Sequence, residues 1–127
     1  MNNETLPQPY ENAIIYKDDK LYACLANNPL TKGHVVVVWK EAVRDIHLLS
    51  RKDYEYLMDK VNEIRDAMLK TLKIEKVYLM YLDEICQVHW HLVPRYRKRG
   101  LGHLLGKVGK LRDFSLDDKI RKNLVVN

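Results

Sequence analysis

The sequence predicts an α+β fold in which an antiparallel five-stranded sheet packs against one long helix. Three observations support this prediction. Five short apolar segments have the length and composition of strands, and one long segment has the 3.6-residue periodicity of an amphipathic helix. Three of the predicted strands precede the helix and two follow it, so helices do not alternate with strands. This order favours an antiparallel sheet over parallel β-α-β units.

The first three strands follow an irregular N-terminal segment. Residues 1–12 carry two prolines among polar side chains, which is typical of a segment without regular structure. Apolar runs at residues 13–16 and 20–26 are separated by three charged residues, which predicts a hairpin. After a turn at Asn27-Asn28-Pro29, the β-branched run at residues 34–39 predicts a strand that is packed on both faces.

The long helix has a recognisable start and one apolar stripe. Ser50 and Asp53 are spaced as in a capping box, in which the serine hydroxyl accepts a hydrogen bond from the backbone N–H three residues later. Apolar residues then recur at alternating spacings of three and four residues: Tyr54, Leu57, Val61, Ile64, Met68 and Leu72. This stripe predicts that the helix covers one face of the sheet.

Residues 76–82 and 87–95 predict the last two strands, and Ser115, Ile120 and Leu124 predict a short amphipathic helix that closes the chain. Both sides of the strand at residues 76–82 are apolar, and one helix cannot cover both faces of a sheet. Because an exposed apolar surface usually meets a partner, we predict a homodimer.

Length and composition indicate one domain. With 127 residues, of which 46% are hydrophobic, the chain fits a single domain over residues 1–127 with its core at about residues 10–97. No segment reaches the roughly 20 apolar residues that span a bilayer, so we predict a soluble protein of the cytoplasm. Cys24 and Cys86 have no spaced cysteine partner of the kind found in zinc or redox motifs, and we interpret both as reduced thiols.

The most informative segment is the strand at residues 87–95. Gln87, His89 and His91 alternate with three apolar residues, and side chains alternate across a strand. The three polar side chains therefore project together about 7 Å apart, while the apolar ones anchor the strand in a core. A row of imidazoles on a stiff strand predicts a reactive site.

Neutral imidazole is a good nucleophile toward phosphorus, because its unperturbed pKa of about 6.5 leaves a free lone pair near neutral pH. His89 is central in the row, so we predict that it is the nucleophile. His91 would donate to a phosphate oxygen, and the amide of Gln87 would hold either a backbone carbonyl or the leaving group. Charge that develops on phosphoryl oxygens needs fixed donors, and Arg95 would add one.

A metal site is the main competing interpretation. A pair such as His89 and His91 can ligate zinc, but a closed zinc site needs a third and usually a fourth ligand. The neighbouring candidates Asp83, Glu84 and His103 lack an informative spacing. We therefore predict no metal and no cofactor. A purely structural role for the two imidazoles is also disfavoured, because two histidines and a glutamine share one face.

The remaining histidines carry no comparable pattern. His34 opens the β-branched strand, and neither His47 nor His103 has neighbours that indicate chemistry. We therefore predict that His34 is an ordinary structural residue of its strand.

The motif also resembles a known family. Residues 87–93, Gln-Val-His-Trp-His-Leu-Val, are similar to the histidine triad signature His-φ-His-φ-His-φ-φ, where φ is hydrophobic, with glutamine at the first position. Residues 29–38 are similar to the segment that leads into a strand of that family, and residues 45–50 to the stretch before its helix. The resemblance extends over about residues 10–97.

The resemblance implies a homodimer in which two five-stranded sheets join into a ten-stranded sheet, with a nucleotide pocket on each subunit. It implies that His89 attacks the α-phosphate of a nucleotide conjugate, that His91 contacts this phosphate, and that water or another acceptor resolves the nucleotidyl-histidine. Asn27 follows the position of the family's ribose-binding residue and is assigned to the ribose. Typical substrates are dinucleoside polyphosphates, nucleoside phosphoramidates and other adenylyl conjugates.

Two alternatives stay open. Gln87 replaces the first histidine, and residues 82–86 lack the glycine that usually lets the backbone approach the phosphates, so a nucleotide-binding sensor without catalysis is one alternative. The other is action on adenylated nucleic-acid ends, because the formal charge is +5 and basic residues cluster late in the chain. These residues are Arg95, Arg97, Lys98, Arg99, Lys107, Lys110 and Arg112.

Overall fold

The structure, a computed structural model, describes residues 5–96 and 109–125. In these ranges the predicted α+β fold is confirmed: one five-stranded antiparallel sheet packs against a long helix and a short one. The strands are β1 Ile14–Lys17, β2 Leu21–Leu25, β3 Val35–Trp39, β4 Lys76–Tyr81 and β5 His89–Arg95, and the helices are α1 Arg51–Leu72 and α2 Leu116–Asn123. Each strand lies within two residues of its predicted bounds.

The strand order places the motif inside the sheet. The order is β1-β2-β3-β5-β4, and each neighbouring pair is antiparallel. Strand β5 therefore has hydrogen-bonded neighbours on both sides, β3 and β4. In the register of β3 with β5, Val38 lies opposite His89 and Val36 lies opposite His91. Because residues opposite each other share a face, these four side chains are on one side of the sheet.

Helix α1 begins as predicted. Its N-cap is Ser50, whose hydroxyl accepts a hydrogen bond from the backbone N–H of Asp53 at 3.1 Å. The buried stripe contains the predicted apolar residues Leu57, Val61, Ile64 and Met68, together with Ala67. The prediction was wrong for Tyr54, which is 44% exposed. At 100° per residue Tyr54 lies about 60° from Leu57, at the edge of the stripe, in the first turn of the helix.

The two faces of the sheet differ in what covers them. One face forms the main core with α1 and α2, and includes Leu21, Val35, Val37 and Leu92. On the other face, Ala26, Val36 and Val38 form a small apolar cluster against which Leu6 and Tyr22 pack. The second apolar face, for which the sequence indicated no cover, is therefore partly covered by the N-terminal segment of the same chain.

Helix α2 confirms the predicted closing helix and protects one edge of the sheet. Ile120 is fully buried, while Arg121 donates hydrogen bonds to the backbone carbonyls of Ile14 and Ile15 in the edge strand β1. Of the helices in the described part of the chain, none is both long and apolar enough to cross a bilayer.

Candidate active site

His89 is the first residue of β5 and is held by the backbone that precedes it. Its side chain is buried, and its ring Nδ1 lies 2.8 Å from the carbonyl oxygen of Gln87. A carbonyl oxygen can only accept a hydrogen bond, so Nδ1 must carry the proton. In the neutral ring the lone pair is then on Nε2, which is the form that a nucleophile requires.

His91 is oriented by a second histidine. Its Nδ1 lies 3.0 Å from Nε2 of His34, and Nδ1 of His34 accepts a hydrogen bond of 3.0 Å from the backbone N–H of Leu30. Because Leu30 donates to Nδ1, the neutral ring of His34 carries its proton on Nε2 and donates it to His91. His91 must then carry its own proton on Nε2, where it can donate to another group.

Burial keeps both of these rings neutral. Desolvation, with a smaller effect of the neighbouring His91, lowers the pKa of His34 to about 3. Desolvation, with a smaller effect of His89, lowers the pKa of His91 to about 4. Near neutral pH the hydrogen-bond directions described above therefore hold. His91 offers an N–H donor without first having to gain a proton.

The three imidazoles form a continuous row. The ring centroids of His89 and His91 are 5.0 Å apart in an edge-to-face arrangement, and those of His34 and His91 are 5.2 Å apart. The sequence prediction that His34 is an ordinary strand residue was wrong, because its ring contacts His91 directly. The missing information was the register of β3 against β5, which places residues 34, 36 and 38 on the same face as the two predicted histidines.

The side-chain amide of Gln87 binds backbone groups. It precedes β5, its side chain is buried, and its Nε2 donates to the carbonyl of Trp39 at 3.0 Å. Its Oε1 accepts a hydrogen bond of 2.9 Å from the backbone N–H of Leu6. Of the two predicted roles for this amide, the structure shows contact with a backbone carbonyl. The polar row on the strand thus consists of His89 and His91, and Gln87 is committed to the backbone around them.

A cavity of about 230 Å³ lies beside the histidines on the second face of the sheet. Its floor includes Tyr22, Val36 and Val38, and its lining also includes His34 and His91. His89 does not line the cavity, but it lies between two residues that do, since Val38 is opposite it and His91 is next to it on the same face. The cavity therefore reaches the neighbours of His89 on this face.

Asn27 lines the same cavity, and its role at the ribose stays a prediction. Its Nδ2 donates to the carbonyl of Gln8 at 3.3 Å. Its Oδ1 is buried and accepts no hydrogen bond from any described residue. This oxygen has almost no accessible surface, so a ligand in the cavity reaches it only if the Asn27 side chain rotates.

Arg95 is not brought to the histidines. It is the last residue of β5 and lies opposite Lys76. At about 3.3 Å per residue it is about 20 Å along the strand from His89, and it does not line the cavity. The predicted role of Arg95 as a phosphate donor therefore has no support in this geometry.

The metal interpretation gains no further ligand among the described residues. Within residues 5–96 and 109–125 there is no group of three or more histidine, cysteine, aspartate or glutamate side chains that could hold a metal ion. One predicted candidate, His103, lies outside the described residues, as do the basic residues Arg97, Lys98, Arg99 and Lys107.

Comparison with known proteins decides the family. The family model of the HIT domain matches residues 8–98. The chain belongs to the HIT domain family. The resemblance to histidine triad proteins that the motif predicted is therefore confirmed over most of the chain.

Relatives and solved structures agree with this assignment. An uncharacterized 13.1 kDa HIT-like protein of Mesomycoplasma hyorhinis is 34% identical over 91 residues, covering 67% of this HIT chain and 82% of the relative. A HIT-like protein from Bartonella henselae, described as involved in cell-cycle regulation, matches with a TM-score of 0.73 at 20% identity over 88% and 86% of the two chains. A hypothetical histidine triad nucleotide-binding protein from Sulfolobus tokodaii matches with a TM-score of 0.72 at 19% identity over 87% and 82%.

Proposed function

We propose that this HIT protein is a nucleotide hydrolase or nucleotidyltransferase. It acts at the α-phosphate of dinucleoside polyphosphates, nucleoside phosphoramidates or related adenylyl conjugates. The observation that carries the proposal is the hydrogen bond from Nδ1 of His89 to the carbonyl of Gln87, because it leaves the lone pair on Nε2. Membership of the HIT family supports a nucleotide-binding fold.

The nucleoside part of the substrate occupies the cavity. Its base lies on the apolar floor that includes Val36 and Val38, and its ribose lies beside Asn27, which lines the same cavity. This placement puts the α-phosphate at the His91 end of the cavity, next to His89. Apolar contact with a base and a small number of polar groups is the usual composition of such a pocket.

The chemistry proceeds in two displacements. The Nε2 lone pair of His89 forms a bond to the α-phosphorus, and the bond from phosphorus to the leaving group breaks, with the electron pair going to the leaving group, which takes a proton from solvent. The nucleotidyl-imidazolium keeps its Nδ1 proton, which faces the Gln87 carbonyl. Water, or another acceptor hydroxyl, then attacks phosphorus, loses a proton to solvent, and His89 leaves with its lone pair restored.

His91 assists without changing its charge. Its Nε2–H donates to a non-bridging phosphoryl oxygen, where negative charge increases during attack. Because burial holds the pKa of His91 at about 4, the ring is neutral and does not oppose the positive charge that forms on His89. The proposed mechanism requires no metal ion.

We also propose that the protein is a homodimer joined through strand β4. One edge of the sheet, β1, is blocked by Arg121, which hydrogen-bonds two of its carbonyls. The other edge, β4, carries Leu79 at 39% exposure, and Leu82 just beyond it is 42% exposed. An apolar edge strand is a template for pairing with another strand, so two copies of β4 would join two sheets into one.

The test of the catalytic proposal is to incubate the protein with isotope-labelled adenosine 5′-phosphoramidate and to measure both turnover and the adduct mass on the quenched protein. Wild type should turn over and carry an adenylyl group, whereas His89→Ala should do neither and should still bind AMP. His47→Ala is the matched control, since His47 is exposed and pairs with Asp45. Full activity in His89→Ala would remove the proposal.

The alternatives give different outcomes in the same experiment. Binding of AMP without turnover or adduct in wild type would favour a sensor. The nucleic-acid alternative has one observation in its favour: Lys110 and Arg112 line, with Lys32, a separate cavity of about 330 Å³. Phosphate contacts would make oligonucleotide affinity fall steeply with salt, and a flat salt dependence would argue against it.

A further inference from the structure

The N-terminal arm, which we define as residues 5–10, lies across the second face of the sheet. Leu6 packs against the apolar cluster that contains Val36 and Val38. Leu6, Pro7 and Pro9 line the cavity from the side opposite the sheet. The cavity is therefore a space between the sheet and the arm, and the arm is its outer wall.

Two side-chain amides hold the arm at its polar backbone groups. Oε1 of Gln87 accepts the hydrogen bond from the N–H of Leu6, and Nδ2 of Asn27 donates to the carbonyl of Gln8. The arm has few other backbone donors, since a proline has no N–H and two of the six arm residues are prolines. These two hydrogen bonds are therefore suited to fixing the position of the arm.

Gln87 links the arm to the strands that carry the histidines. Its Nε2 donates to the carbonyl of Trp39, the last residue of β3, while its own position is two residues before His89. An amide can accept from Leu6 and donate to Trp39 at the same time. A carboxylate could not donate, and an alkyl side chain could do neither.

We propose that Gln87 is a positioning residue that holds the N-terminal arm, and that Leu6 is a specificity-determining residue that covers the base of the bound nucleotide. The proposal rests on the proposed function, because the ligand it assigns is the nucleoside part of that substrate. The base lies between Leu6 and the floor formed by Val36 and Val38. No charged side chain among the described residues lines this cavity, so the base is recognised by shape and apolar contact.

The proposal separates Gln87 from the reacting atoms. Its amide is satisfied at both ends by backbone groups, so it has no free polar atom directed at a phosphate. Loosening the arm weakens contacts that are the same in the ground state and the transition state. Such a change raises KM and leaves kcat nearly unchanged, whereas loss of a catalytic group lowers kcat.

The test removes the hydrogen bond between Leu6 and Gln87 by changing either the donor or the acceptor. Leu6→Pro removes the N–H donor, Gln87→Leu removes the acceptor at similar volume, and the double variant removes both. Gln87→Leu should raise KM for adenosine 5′-phosphoramidate about tenfold with kcat within about twofold. Leu6→Pro should raise KM further, because it also removes the side chain that covers the base, and the double variant should be no worse than Leu6→Pro. His47→Ala is the control, since His47 is exposed and pairs with Asp45 rather than with the arm, and its KM should match wild type.

Leu6→Ala tests the covering role separately, because it keeps the backbone N–H. It should raise KM for the phosphoramidate and should narrow the difference in KM between adenosine and uridine substrates. If Leu6→Ala changes neither the KM nor the difference in KM between adenosine and uridine substrates, Leu6 does not cover the base.

A second readout does not depend on activity. In the absence of nucleotide, hydrogen exchange of the peptide that contains the arm should be faster in Gln87→Leu and Leu6→Pro than in wild type. If wild type neither binds AMP nor turns over the phosphoramidate, the proposed function fails, while the exchange rates still report whether Gln87 holds the arm. Exchange rates equal to wild type, additive effects in the double variant, or a loss of kcat at constant KM would overturn the positioning role. If Gln87→Leu does not fold, the comparison of Leu6→Pro with Leu6→Ala decides the outcome, because of these two variants only Leu6→Pro lacks the backbone N–H.

Discussion

Nε2 of His34 lies 3.0 Å from Nδ1 of His91, although the two residues are 57 positions apart in the chain. This hydrogen bond determines which nitrogen of His91 carries the proton. The proton on His91 Nε2 is the one proposed to donate to the substrate, so in the proposed mechanism His34 acts through His91. The direction of the bond is itself set by the backbone N–H of Leu30.

The first prediction is that His34→Ala lowers kcat by about tenfold, which corresponds to about 1.4 kcal/mol in the barrier. Without His34, the proton on His91 can occupy either ring nitrogen, and the donor to the phosphate is lost in part of the molecules. The measurement is steady-state turnover of adenosine 5′-phosphoramidate, with binding of AMP measured in parallel. His47→Ala should behave as wild type. An unchanged kcat in His34→Ala would contradict the proposed role.

The second prediction is that the folded state loses stability as the pH falls from about 6.5 toward 4. Burial lowers the pKa of His34 to about 3 and that of His91 to about 4, so between these values and 6.5 the unfolded chain binds more protons than the folded one. Each histidine then contributes a slope of up to about 1.4 kcal/mol per pH unit. His91 is partly exposed, so it contributes less to this slope than His34 does. For the two residues together we expect the free energy of unfolding to fall by about 3 kcal/mol between pH 7 and pH 5.

Urea denaturation at pH 7, 6 and 5 measures this effect. His34→Ala should flatten the dependence on pH, and His47→Ala should keep it. Hydrogen bonds outweigh the effect of burial and lower the pKa of Asp18 to about 2 in the folded state. Asp18 therefore changes the stability with pH only below about pH 4, outside the range from pH 5 to pH 7. Equal stability at pH 7 and pH 5 would show that the two rings are not held neutral.

The third prediction concerns the residue before His34. Gly33 has a φ of +83°, and an added Cβ would lie 3.1 Å from the Tyr96 hydroxyl and 3.2 Å from a methyl carbon of Leu72. Gly33→Ala should therefore destabilise the fold by about 1–3 kcal/mol. Gly109→Ala is the matched control, because its nearest contact would be 3.8 Å away and no left-handed φ is required. Denaturant midpoints measure the difference, and equal midpoints for the two variants would contradict it.

The fourth prediction is that Leu79→Lys converts the protein from a dimer into a monomer. Burying a lysine ammonium where two β4 strands meet would leave a charge without a partner. Leu48→Lys is the control, because Leu48 is 51% exposed and lies in the short turn at Ile46–Leu48 rather than in the sheet. Sedimentation velocity at micromolar concentration measures both. A monomeric wild type, or a dimeric Leu79→Lys variant, would contradict the proposed interface between the two β4 strands.

Much of the fold was predictable because its signals are local. The spacing of Leu57, Val61 and Ile64 and the serine cap at Ser50 are contained within a few turns of chain, and the structure confirms both. The alternation of His89 and His91 with apolar residues likewise needs no knowledge beyond the strand itself. These signals depend on periodicity, which is read from consecutive residues.

The rest of the site depends on contacts between distant segments. His34 joins His91 only through the register of β3 with β5, and Gln87 meets Leu6 across 81 positions. Sequence spacing contains no information on either pairing. The role of Arg95 was inferred from nearness in sequence, but an extended strand carries each residue about 3.3 Å further from the site, so the geometry gives this role no support.

The acceptor that fixes the proton of His89 is a main-chain carbonyl. Every amino acid at position 87 supplies the same oxygen, so no substitution of that side chain can delete it. A change of the side chain at position 87 therefore leaves in place the oxygen that holds the proton on Nδ1, so the proposed nucleophilic form of His89 does not depend on which residue occupies the first position of the triad.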